Sequence, residues 1–158
     1  MKKIAILVFT AVFLMTGFQG VFATEKSKAS KPTKDEVVAF VKKAVDYAKK
    51  NGKEKALKEF MNKKGEFIKG ELYIYAYDFN CVVLSHGGQP EIVGMNRTNI
   101  KDANGVFVIP ELAKLAKNGG GWLKYLWANP LHNNKVEPKL GYVEKVDDTW
   151  FLGSGMYE

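Results

Sequence analysis

Cysteine and histidine are scarce in this chain: Cys81 is the one cysteine, and His86 and His132 are the two histidines, in 158 residues. A lone thiol rules out an internal disulfide, and Cys-x-x-Cys-His haem attachment is excluded with it. With so few ligating side chains and no local cluster of His, Cys, Asp and Glu, no zinc spacing can be assembled. Gly153-Ser154-Gly155 lacks the strand-to-helix setting of a nucleophile elbow and reads instead as a place where the last strand packs closely. Gly119-Gly120-Gly121 follows a helical stretch rather than preceding one, so it is no phosphate cradle. No catalytic residue, metal site or cofactor is expected, and the chain reads as a non-enzyme. Beyond the N-terminal segment no apolar run is long enough to cross a bilayer, so no membrane span is expected in the mature chain.

The apolar share of 46% and charged share of 26% are those of an ordinary globular domain. The formal net charge of +7 would suit an anionic partner only if the lysines gathered in one groove. They do not: Lys42, Lys43, Lys49 and Lys50, then Lys55, Lys58, Lys63 and Lys64, spread along the outer sides of two helical stretches. Nucleic acid is therefore not expected as a partner. Residues 1–23 combine a charged start, an apolar run from Ile4 to Phe18 and the small-residue end Val21-Phe22-Ala23, which together read as a cleaved secretory signal. The apolar run falls short of the ~20 residues of a span, which weighs against a retained anchor. Residues 24–32 read as a flexible lead-in and 33–158 as a single domain, periplasmic or secreted. In that oxidising setting Cys81 reads as a small buried hydrophobe.

The stretch from Leu72 to Tyr77 alternates strictly, with Tyr73, Tyr75 and Tyr77 on one side and Leu72, Ile74 and Ala76 on the other. It predicts one strand, followed by an Asp78-Phe79-Asn80 turn and a second arm over Cys81–Leu84. The phenol face suits a pocket wall, or equally a face packed under a helix with its hydroxyls at the rim. Upstream, Thr33 and Glu36 form a capping box for a helix carrying Val37, Phe40, Val41, Ala44, Val45 and Ala48 inward and stopping at Asn51-Gly52. A shorter helix turns Ala56, Leu57, Phe60 and Met61 inward. Downstream, Ile92 and Val93 should both face the core. Pro110 should open a helix running to about Lys117, with Leu112, Leu115 and Ala116 inside. Strands are expected over 122–127, 139–146 and 149–156, the last two joined at Asp147-Asp148, with Ala128–Pro138 as a loop. The fold class is α+β: a five-stranded antiparallel sheet, the long N-terminal helix packed on one face and a helix with loops over the other, leaving room between sheet and cover for a small cavity.

Taken in order, Gly70–Asp78, Leu84-Ser85-His86, Gly94-Met95-Asn96, Lys101–Gly105, Gly121–Pro130, Pro138–Val143 and Gly153–Tyr157 resemble the single Cache sensor domain, type two. The resemblance covers essentially the whole mature chain. It implies a PAS-like extracytoplasmic fold that binds a small molecule, often a short carboxylate, beside the central sheet. In the chemoreceptors and sensor kinases of that family the domain sits between two membrane helices, whereas this sequence closes at Glu158, just after the last strand. The expectation is a free sensor-type binding protein without its own transmembrane signalling part, whose partner is a membrane receptor or sensor kinase. Two positions depart from the family pattern: Cys81 where the turn prefers glycine, and Gly87 where a proline usually follows the histidine, which should loosen the loop over the ligand.

A carboxylate removed from water needs charge and hydrogen bonds in place of its hydration. Lys139, in the matched Pro-Lys-Leu segment, is the candidate cation; the alternative is an exposed edge lysine. Tyr73, Tyr75 and Tyr125 are candidate hydroxyl donors, Trp127 an apolar wall, and His86 either a ring donor to the ligand or a cap on loop backbone. The ligand is expected to be a small organic acid. An amine or zwitterion would instead need an acidic group such as Asp78 or Glu144. The competing function is an extracytoplasmic interaction protein with a vestigial pocket, docking a membrane partner or an anionic surface through its basic helices.

Overall fold

A computed structural model describes residues 31–158 of the protein. The expected signal segment and nearly all of the lead-in lie outside the described residues. Helix α1 (Lys34–Asn51) begins as its first residues demand. Thr33 Oγ1 accepts the Glu36 N–H at 3.3 Å and Glu36 Oε2 accepts the Thr33 N–H at 2.7 Å, so two otherwise orphaned donors are satisfied reciprocally. It ends where Gly52 takes a φ of +83°, a backbone state that costs glycine nothing. Helix α2 (Lys53–Phe60) starts at the same glycine and folds back.

Seven strands follow: β1 (Ile68–Lys69), β2 (Leu72–Tyr73), β3 (Tyr75–Asp78), β4 (Val83–His86), β5 (Gly121–Asn129), β6 (Lys135–Asp147) and β7 (Trp150–Tyr157), with helix α3 (Val108–Lys117) between β4 and β5. β1 and β2 form a small pair of their own. The other five make one antiparallel sheet in the order β4-β3-β7-β6-β5, the sheet expected from the sequence. Helices α1 and α2 cover one face, with Val41, Ala44, Val45, Ala48, Ala56 and Phe60 against Ile74, Ala76, Trp150 and Leu152. Helix α3 covers the other, with Val108, Ile109, Leu112 and Ala116 against Tyr73, Tyr75, Tyr77, Tyr125 and Phe151. The odd–even split read from Leu72–Tyr77 is thus the split between two cores.

Several boundaries differ from the sequence reading, each for a local reason. The single strand expected over Leu72–Tyr77 breaks at Ile74, whose N–H donates to Phe67 O (3.3 Å) and whose O accepts from Gly87 N (2.9 Å); the chain changes partners there, from β1 to β4 and β7. The second arm runs over Val83–His86 rather than Cys81–Leu84. Asp78 Oδ1 accepts both Asn80 N and Val82 N and holds Cys81 in the turn at a φ of +64°. That left-handed backbone is the physical reason a glycine would be favoured at Cys81. Ile92 is buried but Val93 is 40% exposed, because Pro90–Ile92 is a single 3-10 turn and its successor points away. Helix α3 begins at Val108, two residues before Pro110; within the first turn the missing proline N–H costs nothing.

The largest difference is Ala128–Pro138, expected as a loop. β5 continues to Asn129 and β6 starts at Lys135, leaving only 130–134 outside the ladder. Pro138 is tolerated inside β6 because its carbonyl faces the β7 side, where it accepts from Glu158 N (3.0 Å); its absent N–H faces the same way and takes no bond from β5. Gly155 allows β6 and β7 to close on each other: a Cβ there would stand 2.6 Å from Leu140 O.

Candidate functional site

The sheet register gathers the polar residues of the covered face. Tyr75 pairs with His86 across β3–β4, Tyr125 with Lys139 across β5–β6, and Lys139 with Tyr157 across β6–β7. Side chains from five strands then meet under α3. Tyr73, Tyr75, His86, Tyr125, Trp127 and Lys139, the six residues named from the sequence, line one void together with Tyr77, Val108, Ile109 and Leu112. The void measures about 10 Å³, the room of a single water molecule. The expected cavity is therefore present but water-sized. Gly141 keeps even that much open, since a Cβ on it would stand 2.9 Å from Tyr125 Oη and 3.0 Å from Tyr75 Oη. A wider surface groove of about 540 Å³, between the β3–β4 turn and α3, contains none of the six.

Lys139 is the dominant charge. It is 1% exposed, so the edge-lysine alternative is wrong for this residue. Its Nζ donates to Tyr73 Oη at 2.7 Å and to Tyr157 Oη at 3.4 Å, and lies 4.1 Å and 4.6 Å from those two ring centroids. Among the described residues no carboxylate stands within ion-pair distance of it. Burial drives its pKa down to about 7, with the Glu71 charge pulling partly the other way. Glu71, at the β1–β2 turn, is itself pushed up by burial, and its Oε1 is buried without a hydrogen bond.

Of the two roles the sequence left open for His86, the structure shows the cap on loop backbone. Its Nδ1 accepts the Gln89 N–H at 2.9 Å, capping the loop, and that contact fixes the neutral tautomer in which Nε2 carries the proton. Burial, then the charges of Lys139 and Arg97, hold its pKa down at about 3, so the ring is neutral and Nε2–H is a donor at ordinary pH. The ring lies between Tyr73 (5.1 Å) and Tyr75 (6.2 Å). Burial also raises Tyr73, Tyr75, Tyr77 and Tyr125 well above ordinary phenols, so all four stay protonated. The expected loosening at Gly87 is not what the structure has. The Gly87 N–H is bonded to Ile74 O, and a Cβ there would stand 2.9 Å from Phe60 O, so the loop after His86 is tightly seated.

Sequence reasoning missed Tyr157, whose hydroxyl donates to Ala128 O (2.7 Å) while facing Lys139. Its signal was the last strand's alternation: Phe151, Gly153, Gly155 and Tyr157 share the pocket face. Arg97 was missed as well. Its Nε is buried without a hydrogen-bond partner, and its charge acts on Tyr77 and His86. No group of three or more His, Cys, Asp and Glu side chains is placed to hold a metal among the described residues.

A five-stranded antiparallel sheet covered by helices on both faces is the α+β arrangement of a PAS-like domain. The chain belongs to the Single Cache domain 2 family, whose model matches residues 23–158. It is 36% identical over 89 residues to a sensor histidine kinase of Rhizobium johnstonii, covering 56% of this chain and 19% of that protein. To a methyl-accepting chemotaxis protein of Pseudomonas aeruginosa it is 33% identical over 70 residues, covering 44% and 12%. The matches thus span a fifth or less of these curated relatives. Among solved structures, a methyl-accepting chemotaxis protein from Vibrio parahaemolyticus aligns with a TM-score of 0.69 and 29% identity over 78% of this chain and 87% of that one. A Cache chemosensory domain described for carboxylic acid recognition aligns with a TM-score of 0.60 and 25% identity over 75% and 84%.

Proposed function

We propose that this chain is an extracytoplasmic, ligand-binding sensor domain whose ligand is a short organic carboxylate. The observation that carries the reading is Lys139: a buried amine bonded only to phenol oxygens, with no acid at ion-pair distance among the described residues. A ligand carboxylate would supply that missing charge. Hydroxyl hydrogens of the phenols and the His86 Nε2–H would complete its hydrogen bonds, and a methyl or ethyl tail would lie against Trp127, Val108, Ile109 and Leu112. The solved relative that recognises carboxylic acids supports this class of ligand. The kinase and chemoreceptor relatives support a membrane receptor or sensor kinase as the partner that reads the bound state.

The void limits both size and strength. Even acetate exceeds one water, so α3 and the segment before it must yield outward for the ligand to fit. With a ceiling of about −1.5 kcal/mol per heavy atom, a four-atom acid gains at most about −6 kcal/mol, a Kd no tighter than tens of micromolar. A thermal-shift panel of short carboxylates, amino acids and amines tests the reading. Saturating acetate or propionate should raise the melting temperature, and Lys139→Met should lose that response while staying folded. The small void also favours a second reading, a vestigial pocket on a protein that docks through its basic helices. No response to any acid, with binding to anionic vesicles retained at low salt, would select that reading instead.

A further inference from the structure

We propose that the surface groove between the β3–β4 turn and α3 is a second, separate binding site, for a small aromatic carboxylate of the arylacetate kind. It does not involve the void and does not depend on the reading of Lys139. At about 540 Å³ the groove has the room of a small-molecule site, where the void has that of one water. Its helical wall is a single face of α3. Pro110, Ala113, Lys114 and Lys117 recur at i, i+3, i+4 and i+7, beside the stripe of Val108, Ile109, Leu112 and Ala116 that packs onto the sheet. Phe79 and Cys81 of the turn stand across from it.

The groove offers two kinds of contact. Pro110, Ala113, Cys81 and Phe79 form an apolar floor for the face of a ring, and Phe79 is itself held in place against Phe151 at 5.4 Å. Cys81, at a φ of +64°, adds a polarizable sulfur where the glycine favoured by that turn would present no side chain. Charge comes from Lys114 and Lys117, both exposed and neighbours on the helix face, while no carboxylate side chain lines the groove. Like charges so placed repel, and an anion between them relieves the repulsion. The dipole at the C-terminal end of α3 opposes an anion, so the two ammonium groups carry the attraction. Lys117 Nζ rests 5.2 Å from the Phe79 ring centroid, a weak contact at an exposed site that a carboxylate readily replaces. Acetate would meet the charges and leave the floor empty; a neutral aromatic would do the reverse.

The test is a titration of the isotopically labelled protein with phenylacetate at low salt, followed by amide chemical shifts. Saturable shifts should appear at Phe79, Cys81, Thr98, Lys114 and Lys117. Lys114→Gln combined with Lys117→Gln should weaken the binding about fivefold, the scale of exposed charge pairs, and 0.5 M salt should weaken it similarly. Phenylacetamide, the same shape without the charge, should bind more weakly than phenylacetate, and acetate should leave these amides unmoved. Lys139→Met should leave the titration unchanged, because the void and the groove share no residue. Three results overturn the proposal: no saturable shift at millimolar phenylacetate, groove shifts that the double variant leaves intact, or acetate shifting the groove as strongly as phenylacetate. Shifts confined to Tyr73, Tyr75 and Tyr125 and lost in Lys139→Met would also overturn it, while supporting acid binding in the void.

Discussion

Lys139 sits where a protein normally avoids placing an amine, and two measurable consequences follow from its pKa near 7. The first concerns stability. In the unfolded chain a lysine titrates near 10.4, so between about pH 7 and 10 the unfolded state binds more protons, and stability rises with pH across that window. The cost of burying the ammonium is fully present below pH 7 and is on the order of 4 kcal/mol. Melting temperature should therefore climb from pH 6.5 to 9, and Lys139→Met should flatten the climb and melt higher than the wild type at pH 6.5. A wild-type profile that falls over this range contradicts the assignment. The second concerns binding. A bound carboxylate favours the ammonium, so acid affinity should be level below pH 7 and weaken up to about tenfold per unit above it. Calorimetry at pH 6 and pH 8.5 reads this directly, through both Kd and proton uptake. His86 acts at the other end of the scale. Its folded value near 3 lies below the ordinary 6.5, so its neutral form stabilises the fold above pH 6.5 and that support is lost as acid approaches pH 3.

The helices and strands carry predictions of their own. Thr33→Ala removes the side-chain half of the α1 capping box and should cost about 1 kcal/mol without altering ligand response, since α1 lies on the face opposite the void. Gly155→Ala places a methyl against Leu140 O between two central strands. Backbone cannot step aside as a side chain would, so more than about 2 kcal/mol of stability should be lost, measured by urea denaturation. These elements were largely legible in advance. The capping box, the Gly52 stop and the apolar stripe of α1 are short-range patterns, and local backbone chemistry is enough to set them. Ile74 and the 128–138 segment were misread because their state depends on partners far along the chain. Ile74 looks like mid-strand until Phe67 and Gly87 claim its N–H and O, and Pro138 looks like a loop residue until Glu158 shows which way it faces.

Under the proposed function, the molecule as a whole trades tight packing for admission of a ligand. For the proposed acid to fit, the α3 residues that line the void, Val108, Ile109 and Leu112, have to move outward. Amide hydrogen exchange in α3 should therefore be faster than in β6 and β7 in the free protein, and saturating acetate should slow it. Exchange in α3 as slow as in the central strands, and indifferent to acid, would mean that the cover does not open. Composition, periodicity and capping were sufficient by themselves for the α+β class, the five-stranded sheet and the two-faced tyrosine segment, because each is written in local spacing, whereas the six residues around the void were named through the resemblance to the single Cache domain. Tertiary structure alone decided that Lys139 is buried without an acid at ion-pair distance, that Tyr157 helps hold it, and that the hollow shrinks to one water. Those outcomes depend on register between strands distant in sequence and on how closely α3 settles onto the sheet, and no local pattern encodes the distance between two such surfaces.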